Sequence, residues 1–364
     1  MTVTASAGTV AKLPPPPTGR AGWPWTQAAE APQLAERVDS WPPITIVTPS
    51  YNQGSYLEET IRSVLLQGYP RLEYIVIDGG STDASVGILQ RYDGWLTYWV
   101  SERDSGQSEA INKGFARGGG EIHGYLNSDD AYQPNALARV AAAFLHEPNA
   151  LHAFPVVDID DRGSRRIRSV PLRRRRPVTS ATLPDRSDPP ARGKAWKGSL
   201  VPLMVGELYL HQPGVFWPAG SYFEQGGFDE RYSFMFDQKF FLELALEGLP
   251  LICHGGMPVA SFRHHDHSKT ILSRQQGMNP FSLELWRIAR ELEDRLERPE
   301  RGIVRKRRVQ RTLERVWREL RSGSGRGGAV RALARGLADH PDIVTDRFFW
   351  VTLLAVGGIG KIER

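Results

Sequence analysis

Short apolar runs alternate with segments of helical periodicity over the first half of this chain. Residues 44–48 and 74–77 are continuous β-branched and aliphatic runs without polar alternation, which is typical of strands covered on both faces. Residues 57–66, between the two runs, carry apolar side chains at helical spacing. The same alternation continues to about residue 145. The pattern predicts an α/β fold with a mostly parallel central sheet flanked by helices.

The composition changes on both sides of this alternating region. Four consecutive prolines at 14–17 and many small residues predict a disordered N-terminal segment, in which Trp23 and Trp25 are exceptions suited to docking on the following domain. Near the C-terminus, basic residues recur on segments of helical spacing. The predicted division is a disordered segment at residues 1–42, an α/β domain at 43–275 with a mobile loop at about 162–200, and a basic helical extension at 276–364.

Charge and cysteine content narrow the classes of function. The 364 residues include 46 lysines and arginines against 41 aspartates and glutamates, a net charge of +5 that favours anionic partners. The one cysteine, Cys253, excludes an intrachain disulfide and a zinc site built from cysteines. The four arginines at 173–176 have no interleaved aromatic residues, so nucleic acid is not an expected partner. Neither a signal peptide nor an apolar run of about 20 residues is found, and we expect a cytoplasmic protein.

Three polar segments follow predicted strands, at residues 48–52, 78–83 and 127–130. Because ligands of parallel α/β sheets bind beyond the carboxyl ends of the strands, these segments are expected on one rim. The pair Asp129 and Asp130 could hold Mg²⁺ or Mn²⁺ together with phosphate oxygens of a substrate. Adjacent acids after a strand also form turns or cap helices, and the pair alone does not decide between these interpretations.

Eight short motifs along the chain together resemble the family 2 glycosyltransferases of the GT-A fold. They occur in the order and at the spacing of that family over about residues 43–270. Each motif is short, whereas the ordered set is specific. The motifs are TPSYN (48–52), EETIRSVLLQ (58–67), DGGSTD (78–83), GQ (106–107), AINKG (110–114), residues 120–130, QPG (212–214) and GGFD (226–229).

The resemblance implies an activity and a cofactor. It implies inverting transfer of a sugar from a nucleotide-sugar donor, most commonly a UDP-sugar, to a hydroxyl of a glycan, a lipid-linked or a small-molecule acceptor. It also implies Mg²⁺ or Mn²⁺ as cofactor. Two alternatives stay open: a sugar nucleotidyltransferase, although residues 48–56 lack the glycine-rich phosphate loop of those enzymes, and a catalytically silent module that binds sugar nucleotides.

The resemblance also implies roles for individual residues. Asp129 matches the acid of the family's metal motif, whose first acid is replaced here by Asn127, and His265 matches a later histidine that contacts metal or diphosphate. Asp237 matches the catalytic base. Gly79 stands where many relatives carry a second acid that recognises uracil. The residues assigned to nucleotide-sugar binding are Pro49, Ser50, Tyr51, Asn52, Asp78, Gly79, Gly80, Asp83, Gln107, Asn112, Asn127, Ser128 and Asp130.

Asp237 and His265 each have a second interpretation. An acid in the first turn of a helix also serves as a cap, and the apolar neighbours of Asp237 predict a raised pKa that suits a proton acceptor. His265 lies in a histidine-rich run at 264–267, whose close spacing suits a zinc site poorly. A solvated polar loop is the alternative for that run.

The basic C-terminal extension has two interpretations. The basic run Arg305-Lys306-Arg307-Arg308 and the arginines after it, together with the apolar residues 348–350, could rest on anionic lipid. This interpretation predicts peripheral association with the inner face of the membrane. A helical hairpin packed on the preceding domain is the alternative.

Overall fold

The computed structural model describes residues 13–29, 41–160, 165–168, 193–266, 268–269, 280–321, 325–339, 344 and 347–357. The chain divides into two compact units. The first comprises residues 1–198 and 208–284, and the second comprises residues 199–207 and 285–364.

Among the described residues, the strands all belong to the first unit and form two sheets. They are β1 (Ile44–Ser50), β2 (Leu72–Asp78), β3 (Tyr98–Ser101), β4 (Ile122–Tyr125), β5 (Ala131–Tyr132), β6 (Leu151–Ala153), β7 (Val156–Asp160), β8 (Arg165–Arg168), β9 (Lys194–Ala195), β10 (Val215–Pro218), β11 (Leu251–Cys253) and β12 (Ala260–His264). The larger sheet has the order β3-β2-β1-β4-β10-β6-β11-β9, and the smaller one has the order β5-β12-β7-β8.

The helices follow the strands in alternation and then dominate the C-terminal part. They are α1 (Leu57–Leu65), α2 (Ser85–Tyr92), α3 (Gln107–Phe115), α4 (Ala136–His146), α5 (Val201–Met204), α6 (Ala219–Glu224), α7 (Phe236–Leu246), α8 (Pro280–Leu292), α9 (Arg298–Arg321), α10 (Gly325–Asp339) and α11 (Arg347–Gly357).

The centre of the larger sheet is the buried strand β1. It pairs in parallel with β2 and β4, and β2 pairs in parallel with β3. Every residue of β1 is buried, which explains its continuous apolar sequence. The predicted α/β fold, with a mostly parallel central sheet, flanking helices and C-terminal helices, is confirmed. The parallel pairing brings the carboxyl ends of β1 to β4 to one rim, where the ligand site is expected.

The N-terminal segment departs from the expected disorder over residues 13–29. Leu13 and Trp25 are buried, and the buried guanidinium of Arg62 donates hydrogen bonds to the carbonyls of Pro14, Pro24 and Trp25 at 2.7–3.1 Å. These bonds satisfy both partners, since an unpaired buried guanidinium would cost several kcal/mol. Residues 1–12 and 30–40 lie outside the described residues, as does the predicted mobile loop at 162–200 apart from β8 and residues 193–200.

The second unit has an apolar core of its own. Its buried residues come from α9, α10 and α11, and they include Val309, Leu313, Leu333 and Phe349. Glu293 is buried and accepts hydrogen bonds from two arginines of α9. Among the described residues, no helix is long and apolar enough to cross a membrane.

Candidate active site

The strand-end loops of the first unit line an open cleft with a volume of about 1240 Å³. Its walls come from the loops after β1, β2, β3 and β4, the segment 209–213 and the start of α7. Ten of the sequence-predicted site residues line it: Pro49, Ser50, Tyr51, Gly79, Gly80, Gln107, Asn127, Ser128, Asp129 and Asp237. Six do not line it: Asn52, Asp78, Asp83, Asn112, Asp130 and His265.

Asp78 is fully buried and holds two strand ends together. Its carboxylate accepts hydrogen bonds from the backbone N–H and hydroxyl of Ser81 at 2.8 and 2.6 Å and from the hydroxyl of Ser101 at 2.7 Å. Both oxygens are therefore engaged by the protein. Asp78 shapes the loop that faces the cleft and does not itself line the cleft.

Asn52 and Asp83 bind the first two strand-end loops to each other. The side-chain oxygen of Asn52 accepts the N–H of Thr82 at 2.9 Å. Asp83 accepts the N–H groups of Gly54 at 2.8 Å and Ser85 at 2.9 Å. These bonds fix the loops that carry Tyr51 and the two glycines into the cleft.

Asn112 joins α3 to the turn that precedes α7. Its amide nitrogen donates to the carbonyl of Phe228 at 2.9 Å, and its amide oxygen accepts the N–H of the same residue at 2.9 Å. The hydroxyl of Tyr222 also donates to that oxygen. Asn112 of the AINKG motif therefore holds the GGFD turn in place by these hydrogen bonds.

Asn127 lies in the cleft within a chain of side-chain amides. Gln107 donates to its oxygen at 2.6 Å, and its nitrogen donates to Gln212 at 3.2 Å. Gln212 in turn donates to the carbonyl of Tyr125. The side-chain oxygen of Asn127 already accepts a hydrogen bond from Gln107, so Asn127 holds the loop after β4 in place. Asp129 is the acid of that loop that lines the cleft.

Asp129 is supported by His265 and Arg263. The carboxylate can only accept, so Nε2–H of His265 is the donor to Oδ2, at 3.0 Å. Arg263 donates to the carbonyl of Asp129 at 3.0 Å and to the carboxylate of Glu59 at 2.7 Å. The ring of Tyr56 packs on His265 with centroids 4.4 Å apart. His265 is thus buried against the carboxylate and orients it.

The residues around Asp129 fit a divalent cation shared with a substrate. The described residues contain no group of three or more His, Cys, Asp and Glu side chains that could hold a metal by itself. Mg²⁺ in phosphate-binding sites needs only one or two carboxylates, since phosphate oxygens and water supply the rest. Oδ1 of Asp129 accepts no hydrogen bond from the described residues, so one carboxylate oxygen is open to the cleft.

Asp130 points away from the cleft and is almost completely buried. Oδ1 accepts the backbone N–H of Arg263 at 2.9 Å, and the carbonyl accepts the hydroxyl of Thr60 at 2.6 Å. Burial and the neighbouring carboxylate of Asp129 raise the pKa of Asp130 well above its usual range. The two adjacent acids therefore have different roles, one in the cleft and one in the core.

Asp237 is the second residue of α7 and also lines the cleft. Its Oδ1 accepts the N–H of Gln238 at 2.7 Å. Burial raises the pKa of Asp237 to about 6 in spite of that hydrogen bond. A carboxylate of this basicity is suited to accept a proton near neutral pH.

The loop that precedes Asp237 is held by Glu284 of α8. The two carboxylate oxygens of Glu284 accept the N–H groups of Ser233, Phe234 and Met235 at 2.8–2.9 Å. Three hydrogen bonds to one carboxylate make a strong anchor, since each is charge-assisted. Glu284 fixes the backbone that enters α7 and, with it, the position of Asp237.

Sequence reasoning missed several residues that build the cleft. Arg103 and Asp104 line it from the loop after β3, and Arg263 and Glu284 support its two acids. The signal for Asp104 was present, because the polar run after the third predicted strand is one more strand-end loop. The signal for Glu284 was absent, since it acts from 47–51 residues away along the chain.

Comparison with known proteins identifies the first unit. Residues 45–193 match the sequence profile of Glycosyl transferase family 2. This part of the chain therefore resembles the family 2 glycosyltransferases. An uncharacterized glycosyltransferase of Mycobacterium tuberculosis is 38% identical over 106 residues, which cover 29% of this chain and 40% of that protein. The O-antigen biosynthesis protein RfbC of Myxococcus xanthus is 30% identical over 165 residues, 42% of this chain and 13% of that protein.

A solved structure shares the fold of the family 2 domain. TarS 1-349 of S. aureus, solved in complex with UDP-GlcNAc, superposes with a TM-score of 0.58 at 15% identity, over 82% of each chain. The predicted GT-A type of fold is thereby confirmed. The aligned part of this chain covers less than half of the length of either sequence relative.

Proposed function

We propose that this protein is a glycosyltransferase that moves a sugar from a nucleotide-sugar donor to a hydroxyl acceptor. The observation that carries the proposal is that Asp129 and Asp237 line the same cleft, one beside the strand-end loops and the other at the start of α7. The volume of about 1240 Å³ exceeds that of an ordinary small-molecule pocket. It leaves room for a donor and part of an acceptor together.

The donor proposed is a UDP-sugar. The structural neighbour TarS was solved with UDP-GlcNAc and with UDP, and its fold is shared. Bound Mg²⁺ or Mn²⁺ would neutralise charge on the diphosphate. In this chain Asp129 would hold that ion, and His265 would keep the carboxylate in place.

Asp237 is proposed as the general base of an inverting displacement. Its carboxylate, with a pKa of about 6, takes the proton of the acceptor hydroxyl as that oxygen attacks the anomeric carbon. The sugar–phosphate bond breaks on the opposite face, and the nucleoside diphosphate leaves. Glu284 positions Asp237. The side-chain amides of Gln107, Asn127 and Gln212 link the start of α3, the loop after β4 and the segment 209–213.

We also propose that the second unit contacts an anionic lipid surface. Helix α9 carries ten basic residues against three acidic ones. On α11, Trp350, Val351 and Leu354 are exposed, and an aromatic and aliphatic face beside basic residues suits the membrane interface.

The acceptor proposed is a hydroxyl-bearing molecule: a glycan, a lipid-linked molecule or a small molecule.

A binding experiment with Asp129→Ala tests the proposal. Isothermal titration would measure UDP-GlcNAc, GDP-mannose and a dTDP-sugar against the full chain, with Mn²⁺ and with a chelator. We expect one donor class to bind, more tightly with the metal, and Asp129→Ala to lose the metal dependence at unchanged melting temperature. Glu224→Gln, an exposed change on α6 outside the cleft, is the control. No binding by folded wild-type protein under any condition would overturn the proposal.

A further inference from the structure

The loop after β3 places a carboxylate directly beside Gly79. A Cβ built on Gly79 would lie 2.9 Å from Oδ2 of Asp104 and 3.2 Å from its Oδ1. Both residues line the cleft. Asp104 therefore presents its carboxylate in the space that a side chain at position 79 would occupy.

Two glycines and an aromatic ring line the cleft together with Asp104. Gly79 and Gly80 carry no side chain there, and Gly80 adopts a φ of 81°. The ring of Tyr51 lines the same cleft and is 63% exposed. Two bare backbone residues and an exposed aromatic ring leave a slot suited to a planar group.

The carboxylate of Asp104 has an unfilled acceptor. Oδ1 accepts the N–H of Gly106 at 3.0 Å, whereas Oδ2 receives no hydrogen bond from the described residues. Burial raises the pKa of Asp104, against the opposing hydrogen bond from Gly106, and Glu109 raises it further. A partly buried carboxylate with an unfilled acceptor oxygen is stabilised when a ligand donates a hydrogen bond to that oxygen.

The sheet order indicates which part of a nucleotide lies at this point. Asp104 follows β3 and Asp129 follows β4, and β2 and β1 lie between them. Three strand spacings amount to about 14 Å. If its phosphates lie beside Asp129 and it runs along this rim, a nucleoside diphosphate has its ribose over β1 and β2 and its base near Asp104.

We infer that Asp104 selects the nucleobase of the donor by accepting a hydrogen bond from a ring N–H. This inference rests on the proposed function. Uracil and thymine carry such an N–H at N3 and guanine carries one at N1, whereas cytosine and adenine have a lone pair at the corresponding ring nitrogen. The donor is thus a uridine, deoxythymidine or guanosine diphosphate sugar, and a cytidine or adenosine nucleotide is excluded by the repulsion between lone pairs.

The test compares nucleoside diphosphates against Asp104 variants by isothermal titration with Mn²⁺ present. Wild-type protein is expected to bind at least one of UDP, dTDP and GDP. CDP should bind about tenfold to hundredfold more weakly than that nucleotide. Where UDP is the nucleotide that binds, its N3-methyl analogue should be weakened to the same extent. Asp104→Asn should lose about tenfold for the preferred nucleotide and gain for CDP, because an amide can donate to N3 of cytosine and accept its amino group. Glu102→Gln, an exposed change in the same loop, is the control.

A relocated carboxylate separates recognition from loop structure. Gly79→Asp alone should weaken binding, since it meets the carboxylate of Asp104, and Asp104→Ala alone should weaken it by loss of the acceptor. The double variant Gly79→Asp/Asp104→Ala puts the acid back from the other side and should recover most of the affinity. Gly79 does not have a left-handed φ, so aspartate fits its backbone.

The outcomes distinguish the two claims. The role of Asp104 would be overturned if wild-type protein bound CDP and the N3-methyl analogue as tightly as UDP, GDP or dTDP, and if Asp104→Asn and the double variant had unchanged affinities. That result would leave the donor site standing. Wild-type protein that binds no nucleotide at all would overturn the proposed function first.

Discussion

Burial at single residues separates the acids of this protein into different roles. Asp78 and Asp130 are buried and hydrogen-bonded to the protein, whereas Asp129 and Asp237 line the cleft. In the sequence, all four are aspartates at the end of a strand or the start of a helix. The residue type identifies a candidate, and only the direction of the side chain shows whether it meets solvent.

The raised pKa of Asp237 has a consequence for stability. An unfolded aspartate titrates near 3.9, and burial raises the pKa of Asp237 to about 6 in the folded protein. The folded state therefore binds more protons between these values, and stability falls as pH rises from about 4 to about 6. Asp237→Asn removes this titration and keeps the hydrogen bond from Gln238.

We expect Asp237→Asn to be more stable than wild type by about 1–3 kcal/mol at pH 7.5 and equally stable at pH 4. Denaturant unfolding at the two pH values measures both differences. Glu224→Gln, an exposed change outside the cleft, is the control. A gap of the same size at both pH values would contradict the raised pKa.

Helix α7 depends on an anchor from a distant element. Met235, the residue before the helix, provides no side-chain cap, and Glu284 of α8 accepts the N–H groups just before it. Loss of this anchor is expected to loosen the loop that carries Asp237. The loops after β1 to β4, which are proposed to bind the donor, do not involve Glu284 and should be unaffected.

Glu284→Gln tests this anchor. Glutamine keeps the shape but loses the charge, so we expect kcat to fall about tenfold while the dissociation constant of the donor stays within twofold of wild type. Glu291→Gln, on the same helix and paired with Arg287, is the matched control. Equal kcat in both variants would show that Glu284 does not position the base.

Local pattern predicted the elements well and the long-range contacts poorly. The strands, their buried faces and the rim of polar loops follow from apolar runs and their spacing. The docking of residues 13–29 depends on hydrogen bonds from Arg62. In the sequence, Arg62 is a single basic residue in a predicted helix, and nothing near it indicates these partners. The clasp made by Asn112 likewise needs the turn at Phe228, over 100 residues away, and no local pattern reports such a contact.

At the scale of the whole molecule, the second unit is expected to bind membranes by charge and by its apolar face. We expect the full chain to co-sediment with vesicles containing phosphatidylserine and to be released by high salt. Trp350→Ser/Leu354→Ser should reduce binding about tenfold with unchanged donor binding. Val330→Ser, an exposed apolar change on α10, is the control. Equal binding of wild type to neutral and anionic vesicles would contradict the role of charge.

The central claim is that the cleft between Asp129 and Asp237 transfers a sugar from a nucleotide donor. The most direct measurement is release of nucleoside diphosphate from the best-bound donor, with water as the oxygen that receives the sugar, by wild-type protein and by Asp237→Asn, each at saturating donor with Mn²⁺. We predict steady release by wild type, and loss of about 100-fold or more in Asp237→Asn at an unchanged donor dissociation constant. Equal release by the two proteins, or tight donor binding with no release by wild type, would contradict it.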